Sequence, residues 1–440
     1  MSAIGLEELR LHRDRTRRES PDTDLRLEEA MTVLSPRDAK DVEEAVRWAL
    51  EGGRTLDVIG TGSKRGLGRP CDCDAVLDLS ALTGVTLYEP DELVLSARAG
   101  TPLAEIEALV AAQAQELAFE PADYGGLYGA AAGGGTIGGV VATNLSGPRR
   151  IKAGAARDHF LGVAAVSGRA EIFKSGGRVV KNVTGYDLCK LLAGSFGTLA
   201  VMTDVTVKVL PRAETETSLV LSGLDDAMAA KAMAAAMGSS CDVSGAAHLP
   251  AAAVGGLDVE GIPQDGALTL LRLEGVPESV RPRAEILAGV LADIGGCDRL
   301  GEAVSRAAWR AVRDVRPFQR PVQDDADAGA LWRVSTAPMQ GPALADALRR
   351  EAQAQVFYDW AGGLVWASVP DAETAGASAV ERAVTTYGGH AMLVRAPEAT
   401  RRRRDLFTAQ SDGVATLSRR VKDGFDPQRL LNPGRIWQGL

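Results

Sequence analysis

The sequence predicts an α+β protein made of two unlike α+β regions and a C-terminal segment that returns to the first. Three observations carry this reading. Residues 35–211 alternate short apolar strands with glycine-rich loops. Residues 213–395 alternate strand-like runs with Ala-rich helices, the pattern of an α+β domain with an antiparallel sheet. Residues 400–440 read as one helix followed by Phe425-Asp426-Pro427 and Asn432-Pro433-Gly434-Arg435. The predicted divisions are a polar lead-in (1–30), a first domain (31–212), a middle domain (213–399) and a closing segment (400–440).

Element by element, Val42, Ala45, Val46 and Ala49 recur at helical spacing, and Gly52-Gly53 stops that helix. The strand Leu56 to Ile59 runs straight into a glycine loop, and strands follow at 75–79 and 93–97. Thr101 is expected to cap a helix with Pro102 at its first position and Leu103, Ile106, Leu109 and Val110 on its apolar face. The glycine-rich run 125–139 reads as an irregular loop. A hairpin is expected over 161–173. In the strand near 201–210, Val205, Val207 and Val209 alternate with Thr206 and Lys208. In the middle domain strands are expected at 218–221, 268–273, 331–335, 355–358 and 364–369, the last two forming a hairpin around Ala361-Gly362-Gly363. Helices are expected at 224–237, 283–294 and 371–386.

The 440 residues carry a net charge of −9, which argues against a nucleic-acid or anionic-membrane surface. The arginine clusters at 13–18 and 401–404 read as solvated faces. The five cysteines include no C-x-x-C pair, so no iron–sulfur cluster or other metal site is expected within this chain. A charged start without an apolar core, and no run of the ~20 apolar residues a spanning helix needs, predict a cytoplasmic protein.

Two glycine loops carry the chemistry. In Ile59-Gly60-Thr61-Gly62-Ser63-Lys64 and in Gly133-Gly134-Gly135-Thr136-Ile137-Gly138-Gly139, backbone N–H groups are bare of side chains. Both can converge on a doubly charged centre such as a dinucleotide pyrophosphate. The first loop alone reads equally well as a plain turn. It lacks the third glycine of G-x-G-x-x-G, and no P-loop pattern occurs. Downstream of the second loop, Ala142, Asn144 and Ser146 are small or polar and leave the site open. Lys181-Asn182-Val183-Thr184-Gly185-Tyr186-Asp187-Leu188 and Gly194-Ser195-Phe196-Gly197-Thr198-Leu199 each read alike as a helix-to-turn junction or a ligand contact.

In this order the phrases resemble the FAD-binding oxidoreductases related to vanillyl-alcohol oxidase and p-cresol methylhydroxylase. Leu145-Ser146-Gly147-Pro148-Arg149-Arg150, with Ala153-Gly154 and Arg157-Asp158, is similar to the E-subunit branch of the bacterial glycolate oxidases. The likeness is dense over 35–211, returns at 425–435 and is thin across 213–395.

The resemblance implies a PCMH-type FAD domain of two α+β subdomains with the flavin between them. Ile59, Gly60, Thr61, Gly62, Ser63 and Lys64 would wrap the pyrophosphate. Thr136, Gly138, Gly139, Ala142, Asn144 and Ser146 would line the second side. Gly197, Thr198, Val201 and Met202 would hold the adenosine or ribityl end, and Asn432 would come back near the ring. Covalent-flavin branches place a histidine in the first loop, where Ser63-Lys64-Arg65 stands here, so the FAD is expected to be non-covalent. No H-x-H or H-G-D-G cluster for metal and substrate occurs, and no catalytic residue is assigned.

The implied function is a FAD subunit of a glycolate-oxidising complex, relaying electrons with a D-type flavin subunit and an F-type iron–sulfur subunit. Association with the inner face of the cytoplasmic membrane would come through that complex. Two alternatives stay open: a stand-alone FAD dehydrogenase of another hydroxy acid or alcohol, with Arg272, Arg333 or Arg395 as carboxylate ligands, and a non-catalytic flavin-binding scaffold.

Overall fold

The computed structural model describes residues 31–178, 185–264, 266–319 and 329–440. The lead-in 1–30 and the Lys181–Thr184 part of the K-N-V-T-G-Y-D-L phrase lie outside the described residues.

The chain begins with a small parallel sheet in the order Thr32–Leu34, Ala75–Asp78, Leu56–Ile59. The helix Ala39–Gly52 packs on it through Val42, Ala45, Val46 and Ala49. Asp38 caps that helix by accepting the Lys40 and Asp41 N–H groups at 2.8 and 3.0 Å, and Gly53 ends it at φ 60°. A second sheet is antiparallel, ordered Val85–Glu89, Val94–Arg98, Ala200–Lys208, Phe160–Ser167, Ile172–Gly176. Burial of Val205, Val207 and Val209 against half-exposed Thr206 and Lys208 follows the predicted alternation.

Between these sheets the sequence reading needs correction. Thr101 is not a helix cap: its buried hydroxyl donates to the Arg98 carbonyl at 2.7 Å, and the helix Leu103–Ala111 starts after Pro102 with no side-chain cap. The run 125–139 is not wholly irregular, because a helix spans Ile137–Thr143 with Thr136 as its cap. Glycine at 138 disguised it, since glycine costs about 1 kcal/mol in a helix. The residue is nonetheless required here: a β-carbon at Gly138 would sit 2.7 Å from the Ala99 carbonyl oxygen, and its own N–H donates to that oxygen.

The middle region is an eight-stranded antiparallel sheet. The predicted strands appear as Thr215–Ser222, Leu268–Gly275, Ala330–Ser335, Gln355–Asp359 and Leu364–Val369, joined by Asp298–Leu300, Gly245–Leu249 and His390–Arg395. Helices Asp226–Gly238, Pro277–Val290, Gly341–Ala352 and Ala377–Tyr387 cover one face. The other face offers Leu270, Phe357, Trp366 and Met392 to Leu67, Tyr124, Leu145 and Phe196 of the N-terminal half in one apolar cluster.

The C-terminal segment holds two helices rather than one, Glu398–Arg403 and Asp412–Phe425. Residues 430–432 then run parallel to the first sheet: the Leu56 N–H donates to the Leu430 carbonyl at 2.7 Å, and the Asn432 N–H to the Leu56 carbonyl at 3.0 Å. Lys422 fixes this return. Its buried ammonium donates to Asp426 at 2.7 Å and to the carbonyls of Thr198 and Leu431 at 2.6 and 3.2 Å.

Candidate flavin cleft

The end of strand Leu56–Ile59, the start of helix Ile137–Thr143, the Phe196–Gly197 turn and the returning Asn432 surround an open cleft with an enclosed volume of about 110 Å³. From the first loop Ile59, Gly60, Thr61, Gly62, Ser63 and Lys64 all line it. Thr136, Gly138, Gly139 and Ala142 form the opposite wall, and Gly197, Met202 and Asn432 close the end.

Backbone chemistry distinguishes the first loop. Among the described residues no acceptor takes the N–H of Gly60, Thr61, Gly62, Ser63 or Lys64. Five successive donors without partners gather partial positive charge along this loop. The loop is pinned to the opposite wall where the Thr61 hydroxyl donates to the Gly134 carbonyl. Gly62 takes φ 75°, a left-handed conformation that favours glycine. At Gly60 a β-carbon would stand 2.8 Å from Thr136 Oγ1, so the two walls approach as closely as backbone allows.

Lys64 supplies the one ammonium of this wall. Its Nζ would lie 3.4 Å from a β-carbon on Gly135 and 3.7 Å from one on Gly139, so it reaches across to the second loop. Burial pushes the amine down to about 8, with Asp123 pulling the other way. It makes no ion pair among the described residues, so its charge is available to a ligand.

Asn432 is a brace. Its Oδ1 accepts the Val58 N–H at 2.7 Å and its Nδ2 donates to the Phe196 carbonyl at 2.7 Å, joining the first strand, the turn and the returning segment. Gly197 at φ 71° makes room for it.

Four residues named from sequence lie outside this lining. Asn144 ends the helix at φ 50° and accepts the Arg157 N–H at 3.0 Å. The buried Ser146 hydroxyl accepts the Ala156 N–H at 2.9 Å. The Thr198 hydroxyl donates to the Ser195 carbonyl at 2.7 Å, and Val201 is wholly enclosed in the core behind the first sheet. The polar groups of Asn144, Ser146 and Thr198 bond backbone groups 3 to 13 residues away, which spacing alone could not separate from ligand contacts.

Arg65, Phe196 and Arg435 line the cleft but were not anticipated. Arg435 follows the closing Asn432-Pro433-Gly434 and pairs with buried Asp57 at 3.2 Å, and Arg65 pairs with the same carboxylate. Their place in quoted motifs was the available signal.

A second polar centre lies between the two halves. Buried Arg272 grips Glu120 with both terminal nitrogens, at 2.7 and 3.0 Å, and stacks 4.6 Å from the Trp309 ring. Arg149 grips Glu274 at 3.1 and 2.7 Å and also meets Glu116. The arginines beside Glu120 hold its carboxyl down at about 2 despite complete burial, whereas burial raises Glu116 to about 7. Arg272 is therefore committed to ion pairs, and Arg395 donates to the Leu127 and Phe318 carbonyls. Neither serves as the carboxylate ligand considered from sequence.

Residues 30–176 match the family model described as an FAD binding domain. Over 92% of this chain and 88% of the other, the fold superimposes on p-cresol methylhydroxylase with a TM-score of 0.65 at 12% identity. Fold and match together define an FAD-dependent oxidoreductase with a PCMH-type flavin domain. Within that class the chain belongs to the family of the glycolate oxidase subunit GlcE. It is 33% identical to the Escherichia coli (strain K12) GlcE over 407 residues, covering 90% of this chain and 97% of the relative. The Bacillus subtilis (strain 168) glycolate oxidase subunit GlcD is 30% identical over 189 residues, 43% of this chain and 38% of that one.

Proposed function

We propose that the cleft holds FAD non-covalently, with the pyrophosphate on the unpaired amides of residues 60–64 and on Lys64, facing the Thr136–Gly139 helix start. The observation that carries this reading is the run of five backbone donors with no acceptor among the described residues. Helix starts and amide nests favour anions for the same electrostatic reason. Residues 31–212 act as the flavin domain, 213–399 as the domain that covers it, and 400–440 as its brace through Asn432.

The chain acts as the FAD subunit of a complex that converts glycolate to glyoxylate with a D-type flavin subunit and an F-type iron–sulfur subunit. Its site is cytoplasmic, at the inner face of the membrane through that complex; no helix among the described residues is long and apolar enough to cross a membrane. When bound, FAD supplies two-electron chemistry and one-electron transfer to such partners. The chain's own residues bind and orient: the amide run neutralises phosphate charge, and Phe196 and Leu67 present an apolar wall.

The test is purification of the chain alone and with candidate partners. The chain alone is expected to carry about one flavin that heat or acid releases into the supernatant. Glycolate should bleach the flavin of the complex. Failure to take up FAD would sink the cofactor assignment, and full glycolate turnover by the single chain would sink the relay assignment.

A further inference from the structure

Between the flavin domain and the open face of the eight-stranded sheet, two guanidinium groups converge on one indole. Arg150, on the short helix Arg150–Ala153, places its guanidinium carbon 4.2 Å from the Trp360 ring centroid, and Arg333 of the sheet places its own at 4.6 Å. Among the described residues neither makes an ion pair or side-chain hydrogen bond. Elsewhere at this junction arginines are committed: Arg149 and Arg272 each hold carboxylates.

The indole is held for this role. Trp360 Nε1 donates to the Gly147 carbonyl at 3.1 Å, and its backbone N–H to Asp359 at 2.7 Å. Trp360 and Ala361 sit at φ 51° and 57°, left-handed conformations that for non-glycine residues store about 1–3 kcal/mol each and gather at functional sites. Tyr124 packs edge-on to Trp366 at 6.0 Å and lies within electrostatic reach of Arg333, and its hydroxyl makes no hydrogen bond among the described residues. His390 is diagonal to Arg333 on the neighbouring strand, since Ser335 pairs with His390 and Arg333 with Met392. Burial, then both arginines, depress its protonation, and Arg150 is itself pushed down to about 10 by burial and by Arg333. The nearest acidic groups acting on the pair are Asp158 and Asp359.

We propose that Arg150 and Arg333, both stacked on Trp360, together with Tyr124 within electrostatic reach of Arg333, form a binding site for a small carboxylate anion in this chain itself. An anion paired with either guanidinium would offset their mutual repulsion. The planar guanidinium fork matches carboxylate geometry, and stacking on an indole sets its plane. The unpaired Tyr124 hydroxyl supplies a neutral donor for a second oxygen, as in a 2-hydroxy or 2-oxo acid. The substrate class rests on the glycolate reading above; the anion site does not, because none of these residues lines the flavin cleft.

The probe is oxalate, redox-inert and glycolate-sized, titrated into the FAD-loaded full chain by calorimetry and by tryptophan fluorescence, with Trp360→Phe assigning the optical signal. One equivalent is expected to bind. Arg150→Gln and Arg333→Gln should each weaken it at least tenfold, and the double variant should not bind. Thermal melting checks folding, and Arg333→Lys, which keeps charge but not the fork, is expected to fall between wild type and Gln. Absence of oxalate binding by wild type, affinity unchanged in the Gln variants, or inorganic phosphate binding as tightly would each overturn the proposal. Flavin absorbance of every sample is read separately, so loss of FAD without loss of oxalate binding would fault the cofactor assignment and leave this site standing.

Discussion

The glycine-loop cleft, lined by the N-terminal half and the C-terminal segment, and the Arg–Glu junction between the N-terminal half and the middle sheet treat polar groups in opposite ways. In the cleft, five backbone donors and one ammonium have no partners among the described residues, and the lining also carries Arg65, Thr136, Phe196, Asn432 and Arg435. At the junction, Arg149 and Arg272 satisfy Glu116, Glu120 and Glu274 in one dry network. Open polarity is tolerable only where something else will fill it, and closed polarity belongs to the architecture. Binding and stability should therefore respond to different residues.

The largest expected effect is at the junction. Arg272→Leu leaves the buried Glu120 carboxylate without its bidentate partner, and breaking such a pair costs about 3–5 kcal/mol. Chemical denaturation should show that loss, while the FAD affinity of the folded fraction stays within about twofold. A large fall in FAD affinity would break the separation of roles.

Asp359 is the junction's exception, a buried carboxylate with no cation hydrogen-bonded to it among the described residues. Burial raises it to about 7, with the Trp360 N–H opposing. The native state then binds more protons than the unfolded chain, whose carboxylate titrates near 3.9. Stability should fall as pH rises from about 4 to about 7 and level off above, by on the order of 4 kcal/mol from this group. Asp359→Asn keeps an acceptor for the Trp360 N–H and should flatten that slope; an unchanged pH profile would show that the carboxyl is solvated.

How much of this was legible follows the same division. The glycine loops could be read because close backbone approach demands glycine whatever the context, as at Gly62 with its positive φ and Gly60 against Thr136. The Ile137–Thr143 helix was hidden by Gly138, which packs against Ala99, and by Gly139, which faces Thr136 and Lys64. Thr101 looked like a helix cap because a threonine before proline fits that pattern, yet its hydroxyl turns back to the Arg98 carbonyl; Asn144, Ser146 and Thr198 lie outside the cleft lining and bond backbone groups of the protein. In the middle region, Gly245–Leu249 (GAAHL) became a strand through tertiary pairing that its weak β-propensity gave no sign of. The Arg149–Glu274 and Arg272–Glu120 partners stand 125 and 152 residues apart, a relation no local pattern contains.

Asn432 tests the cleft's brace. Asn432→Ala strands the Val58 N–H and the Phe196 carbonyl in a buried setting, with an expected loss of about 1–3 kcal/mol. Unlike the junction variants, it should also weaken FAD, because Val58 and Phe196 both line the cleft. Equal FAD affinity with reduced stability would move Asn432 to the architectural side.

Lys64 makes the smallest loss of stability and the cleanest change in binding. It has no ion-pair partner among the described residues and its charge is disfavoured by burial, so Lys64→Met should not destabilise the FAD-free chain at neutral pH. FAD affinity should fall about tenfold, near 1.4 kcal/mol, as a phosphate loses one charge-assisted contact. Because burial sets the amine at about 8, wild-type affinity should decline as pH rises through that value while the Met variant stays flat. The amine is protonated below and neutral above, so the sign is fixed. Flavin fluorescence titrations at pH 6.5 and 9 read the difference directly, and parallel pH dependence in both proteins would remove Lys64 from the site.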